Sequence, residues 1–124
     1  MNLTEVQRPK RHVEKALIKL VAEYKGEIPN ILDFINIEHL NDIKGVVPIV
    51  SFKIQSDPIG EVGINGVQAV DMLRYVKCLF ESLNEAFSSP FNEATIQALT
   101  IALHWQDART KDRQLRQVEG YNKA

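Results

Sequence analysis

The sequence predicts an α+β protein: a small antiparallel β element beside an N-terminal helix and a C-terminal two-helix hairpin. Three observations carry this reading. Apolar residues recur at intervals of three and four from Lys10 to Tyr24. β-Branched residues crowd two short runs between Ile31 and Gln55. Two long helical patterns follow from Val67 to Gly120, separated only by Ser88, Ser89 and Pro90. A length of 124 residues suits one domain with a single core. Residues 1–55 form its N-terminal helix and β part, and residues 56–124 its loop and hairpin.

Taken in order, residues 1–9 read as a frayed start ending at Pro9. The first helix then places Val13, Ala16, Leu17, Leu20, Val21 and Tyr24 on one face, with Gly26 at its C-terminal cap. Its other face carries Lys10, Arg11, Lys15, Lys19 and Lys25, read as a solvated stripe more readily than an anion contact. Pro29 and Asn30 break the pattern. Ile31–Ile37 reads as a strand, with a helical turn as the alternative. Asn41, Asp42 and Gly45 bracket a connection. In the next strand, Val46–Gln55, Val50, Phe52 and Ile54 share one face, and Ser51, Lys53 and Gln55 the other. Pro48 places that strand at an edge or a start, and the two strands are expected to pair antiparallel.

Ser56–Gln68 is punctuated by Pro58, Gly60, Gly63 and Gly66, and reads as a loop whose glycines permit close approach or positive φ. It lacks the spacing of a P-loop or a dinucleotide-binding turn. The helix from Val67 to Phe87 carries Val70, Leu73, Val76, Phe80, Leu83 and Phe87 as a stripe, widened by Leu79. The last helix is capped by Asn92 or a neighbouring serine, has Glu93 in its first turn, and ends at Gly120. So short a link makes the two helices an antiparallel hairpin. Alanines at 94, 98, 102 and 108 permit close helix approach, and the hairpin has more apolar face than one protomer covers, so a homo-oligomer is expected.

The composition narrows the function. Fifteen basic residues against sixteen acidic ones give a net charge of −1, which argues against a nucleic-acid polymer as partner. Cys78 is the single cysteine; it reads as a buried thiol, with no intrachain disulfide and no Cys-based metal site. The N-terminus lacks the apolar core of a signal peptide, and no apolar run approaches the length of a membrane span. The expectation is a soluble, cytoplasmic protein without membrane contact. His12, His39 and His104 are scattered and fit no metal or nucleophile motif. Asp107 and Asp112 lie beside arginines at helical spacing, which suits ion pairing better than acid–base work. A binding protein without catalysis, metal or cofactor is therefore expected.

The residues that suit binding lie in the last helix. Trp105, Arg109, Arg113 and Arg116 fall on one broad face. On composition alone, a solvated helix end whose arginines complement the dipole is the more economical reading. Three aligned arginines without lysine favour a phosphate clamp, because the planar fork matters for phosphate and not for solvation.

The run from Phe52 to Gly120 resembles the hairpin domain of phage immune-signal sponges, the anti-Thoeris and anti-CBASS proteins. The resemblance is carried by FKIQSDPIGEVGINGVQ (Phe52–Gln68) and ALHWQDARTKDRQLRQVEG (Ala102–Gly120). It implies a non-catalytic protein that sequesters cyclic nucleotide signals, glycocyclic ADP-ribose or cyclic oligonucleotides, and so blocks bacterial anti-phage defence. It also implies a homo-oligomer, dimer or hexamer, acting in the cytoplasm of the infected host, with ligand held between protomers. Arg109 and Arg113 would clamp phosphates, with Arg116 beside them. Phe91 and Asn92, at the start of the last helix, would meet base and ribose, and Tyr121 would add an aromatic group. The Gly60–Gly66 loop would reach the sugar through backbone donors, while Trp105 packs more than it stacks on ligand. Two departures stand out: SSPFNEATIQ replaces a Cys-Arg-Glu-Asn-like segment of many relatives, and RQVEGY stands where relatives show RGVEGT. The alternative is a phage accessory protein that binds other proteins or builds structure, with no nucleotide ligand.

Overall fold

In a computed structural model of the chain, residues 3–24, 31–42 and 45–116 are described. The order is α1 (Leu3–Tyr24), a 3-10 turn (Ile31–Phe34), β1 (Ile35–Asp42), β2 (Gly45–Phe52), α2 (Ile59–Val62), α3 (Ala69–Ala86) and α4 (Pro90–Leu115). Helices and one two-stranded antiparallel sheet make the architecture α+β.

α1 begins earlier than the apolar spacing suggests, at Leu3, and continues through Pro9. Proline costs a helix one backbone hydrogen bond and some crowding, and the packing of the later turns outweighs this. Those turns bury Val13, Ala16, Leu20 and Tyr24, while Val21 sits at the rim, 37% exposed. Of the basic stripe, Lys15 is exposed and Lys19 reaches Glu85 of α3 at 2.6 Å. The expected cap at Gly26, the break at Pro29 and Asn30, and the helix end at Gly120 lie outside the described residues.

The first apolar run resolves into both of its alternatives: a 3-10 turn over Ile31–Phe34, then a strand. The register pairs Ile35 with Phe52, Ile37 with Val50, His39 with Pro48 and Asp42 with Gly45. β1 therefore extends through Asn41 and Asp42, which the sequence reading placed in the connection. Ile35, Ile37, Val50 and Phe52 face inward, whereas Leu40, Val47 and Ile49 are exposed. Regular pairing stops at Phe52, three residues short of expectation, and Ile54 makes only an isolated parallel bridge with Val67. The chain turns away there to meet the glycine-rich segment.

The core is Ala16, Leu20 and Tyr24 of α1, Ile35 of β1, Val67, and Tyr75 and Cys78 of α3. Phe52 meets the Tyr75 ring edge-on at 5.6 Å, and the Tyr75 hydroxyl donates to the Val13 carbonyl at 3.1 Å. α3 lies between α1 and α4 and packs on both. Its deepest face is consequently Asp71, Tyr75, Cys78 and Ser82, not the expected stripe. Of that stripe Val70, Leu73, Phe80 and Leu83 are half-buried, while Val76 (39%) and Phe87 (57%) are exposed. The deepest face tolerates hydroxyls because they have partners: His12 Nδ1 lies 3.1 Å from Ser82 Oγ. α4 starts on Pro90, with Ser89 Oγ accepting from Phe91 N and Asn92 N, so the serine is the cap and Asn92 is not.

Candidate functional site

The glycine-rich segment folds around two amide side chains. Gln55 Oε1 accepts from Asn65 N (2.9 Å) and Gly66 N (3.2 Å), while its Nε2 donates to the Gly63 carbonyl at 2.9 Å. Asn65 answers from the other side, accepting from Ser56 N and donating to the Ser56 carbonyl. Between them the chain makes one helical turn, α2, closed by Gly63 at φ +79°. Gly66 is needed for a different reason. A Cβ there would lie 2.4 Å from the Ile54 carbonyl carbon and 2.5 Å from Gln55 N. That contact lets Val67 N reach Lys53 O and Gln55 N reach Val67 O, both at 2.8 Å.

This arrangement corrects one expectation. The amides of Glu61, Val62, Gly63, Asn65, Gly66 and Val67 all have acceptors within the chain. The loop is held by its own hydrogen bonds, and its backbone donors are largely spent before a ligand arrives. What it offers instead is side-chain surface, from Ile59 and Ile64.

Those side chains form one wall of a cleft of about 230 Å³. Gln68, Val70, Asp71 and Arg74 of the α3 start form the second wall, and Gln106, Asp107 and Thr110 of α4 the third. The antiparallel hairpin makes this possible, because it sets the beginning of α3 beside the later turns of α4. Among the described residues Arg74 is the only cationic one in the lining. Its guanidinium lies 5.2 Å from the centre of the Tyr24 ring, an attraction worth about 1 kcal/mol when partly desolvated.

Asp71 is buried and anchors the region. It accepts from Tyr24 Oη and from Gln68 N at 2.7 Å, and Gln68 completes a capping box on α3. Burial pushes the Tyr24 hydroxyl up, and the Asp71 carboxylate beside it adds to the rise. Tyr24 therefore stays a neutral donor. With Asp71 committed in this way and Asp107 paired with Lys111 at 3.0 Å, both acids of the cleft have structural tasks.

The arginines of α4 separate. Each four-residue step along a helix advances about 40°, so Trp105, Arg109 and Arg113 spiral away from a single line. Trp105 (65%) and Arg109 are exposed, whereas Arg113 is buried at 5%. Arg116 is exposed and its Nε lies 3.1 Å from Asp112 Oδ2. Trp105 meets His104 edge-on at 5.8 Å and does not enter the core of its own chain. Phe91 is 82% exposed and Asn92 half-buried. Both lie at the far end of α4, about 33 Å from Arg113 at 1.5 Å rise per residue. Tyr121 lies outside the described residues.

The sequence reading missed Arg74, Gln55 and Asn65. Arg74 stands three residues after Asp71 in the first turns of an otherwise apolar helix, a weak signal. The two amides flanking a glycine-rich stretch are a stronger one.

Among the described residues one group of possible metal ligands converges: Glu23, Cys78 and Glu81, within 4.8 Å of one another. Lys77 already spans it, 3.5 Å from Glu23 and 3.2 Å from Glu81. Burial, with both carboxylates nearby, pushes the Cys78 thiol up to about 12. A protonated thiol and an ammonium are a poor metal site. Among the described residues no helix is long and apolar enough to cross a membrane. No known protein family and no curated protein matches the chain.

Proposed function

We propose that this protein binds a small cyclic nucleotide signal and sequesters it without altering it, as a phage countermeasure acting in the bacterial cytoplasm. The observation that carries the reading is the cleft. Its walls come from Phe52–Gln68 and from the later part of α4, the two segments that resemble immune-signal sponges, with the α3 start between them. Apolar walls with a few convergent polar groups suit a nucleobase or ribose, and Arg74 supplies a cation for phosphate. Exposed Arg109 stands on α4 between the lining residues Asp107 and Thr110, at the flank of the cleft. Phe91 and Asn92 are too far from Arg109 and Arg113 within one chain to share a ligand with them. They do so only across protomers, in a homo-oligomer built through the helices.

A second reading, an oligomer or protein-binding factor with no nucleotide, is favoured by the exposed apolar side chains along α4. One experiment separates them. The protein is incubated with glycocyclic ADP-ribose and with cyclic di- and trinucleotides, filtered, and heat-denatured. Intact nucleotide released only on denaturation supports sequestration. Nucleotide in the first filtrate supports the second reading, and a cleaved product makes the protein an enzyme. Arg74→Ala should weaken capture tenfold or more, and unchanged capture places the ligand elsewhere.

A further inference from the structure

α4 carries two seams, and among the described residues only one of them is covered. Asn92, Ile96, Leu99, Leu103, Thr110 and Arg113 are half-buried or buried, and they mark the side of the helix that is covered. A second series steps by three and four from Phe91 through Ala94, Ala98, Ile101, Trp105, Ala108 and Asp112 to Leu115. Every one of its eight positions is exposed. Phe91 is 82%, Ile101 60%, Trp105 65% and Leu115 85% exposed. Alternating steps of three and four give the 3.5-residue period of a helix–helix seam, and a scattered set of surface apolar residues has no reason to keep it.

We infer that this outer seam is filled by α4 of a second copy of the chain, running antiparallel about a two-fold axis near Leu103. The sequence of the seam supports that partner and that direction. Reversed upon itself, it sets Phe91 against Leu115, Ala98 against Ala108 and Ile101 against Trp105. Large side chains meet large ones at the ends and near the centre, and alanines between them permit an axis separation of about 8 Å. Asp112 meets Ala94. In a parallel pair Asp112 would face its own copy, and the exposed cations of the helix end, Arg109, Lys111 and Arg116, would lie side by side. Antiparallel pairing instead lays each basic end over the partner's first turns, where Glu93 is the charged residue, and opposes the helix dipoles.

The area is sufficient. The four large apolar residues leave on the order of 500 Å² per protomer uncovered along the length of α4. That is over half of the roughly 800 Å² each partner contributes to a standard interface, and the polar residues flanking the seam supply the rest. The pairing deepens the oligomer of the proposed function and rests on that part of it, and it does not depend on the ligand.

Two measurements on the full chain test it. In sedimentation equilibrium the protein should have twice its 14.1 kDa chain mass, or an even multiple of it. Ile101→Glu should at least halve that mass, with helical content retained. Cross-linking tests direction even where that variant fails to fold. A mixture of Ala98→Cys and Ala108→Cys proteins should form a disulfide dimer under mild oxidation, while neither does so alone. A monomeric wild-type chain, an Ile101→Glu protein of unchanged mass, or either cysteine variant cross-linking by itself overturns the inference. Nucleotide capture is read in parallel: failed capture by an intact dimer counts against the ligand and leaves the pairing standing, whereas capture by a monomeric wild-type chain does the reverse.

Discussion

α3 and α4 are consecutive arms of one hairpin, yet they are used in opposite ways. α3 lies between α1 and α4 and buries Asp71, Tyr75, Cys78 and Ser82. α4 is longer, 26 residues against 18, and among its described residues only Arg113 is buried. α3 holds hydroxyl, carboxyl and thiol groups inside because α1 supplies partners for them. α4 shows tryptophan, phenylalanine, isoleucine and leucine to solvent because none of the described residues covers that side. An apolar composition therefore does not tell which arm is core. Position between two other helices decides it.

Substitutions on the two sides of this contrast should differ in size. The largest loss is expected where the fold is tightest: Gly66→Ala pushes a Cβ into backbone atoms of Ile54, Gln55 and Lys53 that cannot swing aside. It should cost about 3 kcal/mol in a urea titration and abolish capture of any ligand by the cleft. Leu20→Ala, at a fully buried α1 position facing α3, should cost about 3 kcal/mol without changing the cleft lining. The two are told apart by nucleotide capture below the unfolding transition. Tyr24→Phe removes the donor to buried Asp71 and should cost about 1 to 2 kcal/mol.

The buried side of α3 also sets a response to alkali. The folded protein holds Cys78 and Tyr75 in their neutral forms, each pushed up to about 12, chiefly by burial. A group whose folded value is raised contributes stability that is fully present below its unfolded value and lost as pH rises towards the folded one. Stability should therefore be level up to about pH 8.5, where a free thiol titrates, and fall steadily towards pH 12. Iodoacetamide should leave Cys78 unmodified at pH 8 until denaturant is added, and rapid labelling of native protein would contradict its burial. The smallest effect belongs to the outside of α4. Asp112→Asn breaks an exposed pair with Arg116 and should change stability by less than about 0.5 kcal/mol.

What could be read from the residues alone was local. Apolar spacing identifies the α1 face at Val13, Ala16, Leu20 and Tyr24, alternation identifies the inward residues of β2, and the brief Ser-Ser-Pro link identifies the hairpin. Each depends on neighbours within a turn or a strand, where backbone geometry repeats. The buried thiol was legible from its neighbours in the same way. The candidate site was legible only in part. The Gly60–Gly66 stretch and the later α4 were visible as segments, but not as two walls of one cleft, because about forty residues separate them and the α3–α4 turn brings them together. Arg74 was invisible because its task depends on the Tyr24 ring, supplied by another helix. The fate of the α4 arginines was undecided for a related reason. α4 is apolar on several sides at once, so its pattern does not say which side meets α3. Packing chose: it buried Arg113, left Arg109 in solvent, and turned the seam from Phe91 to Leu115 outward.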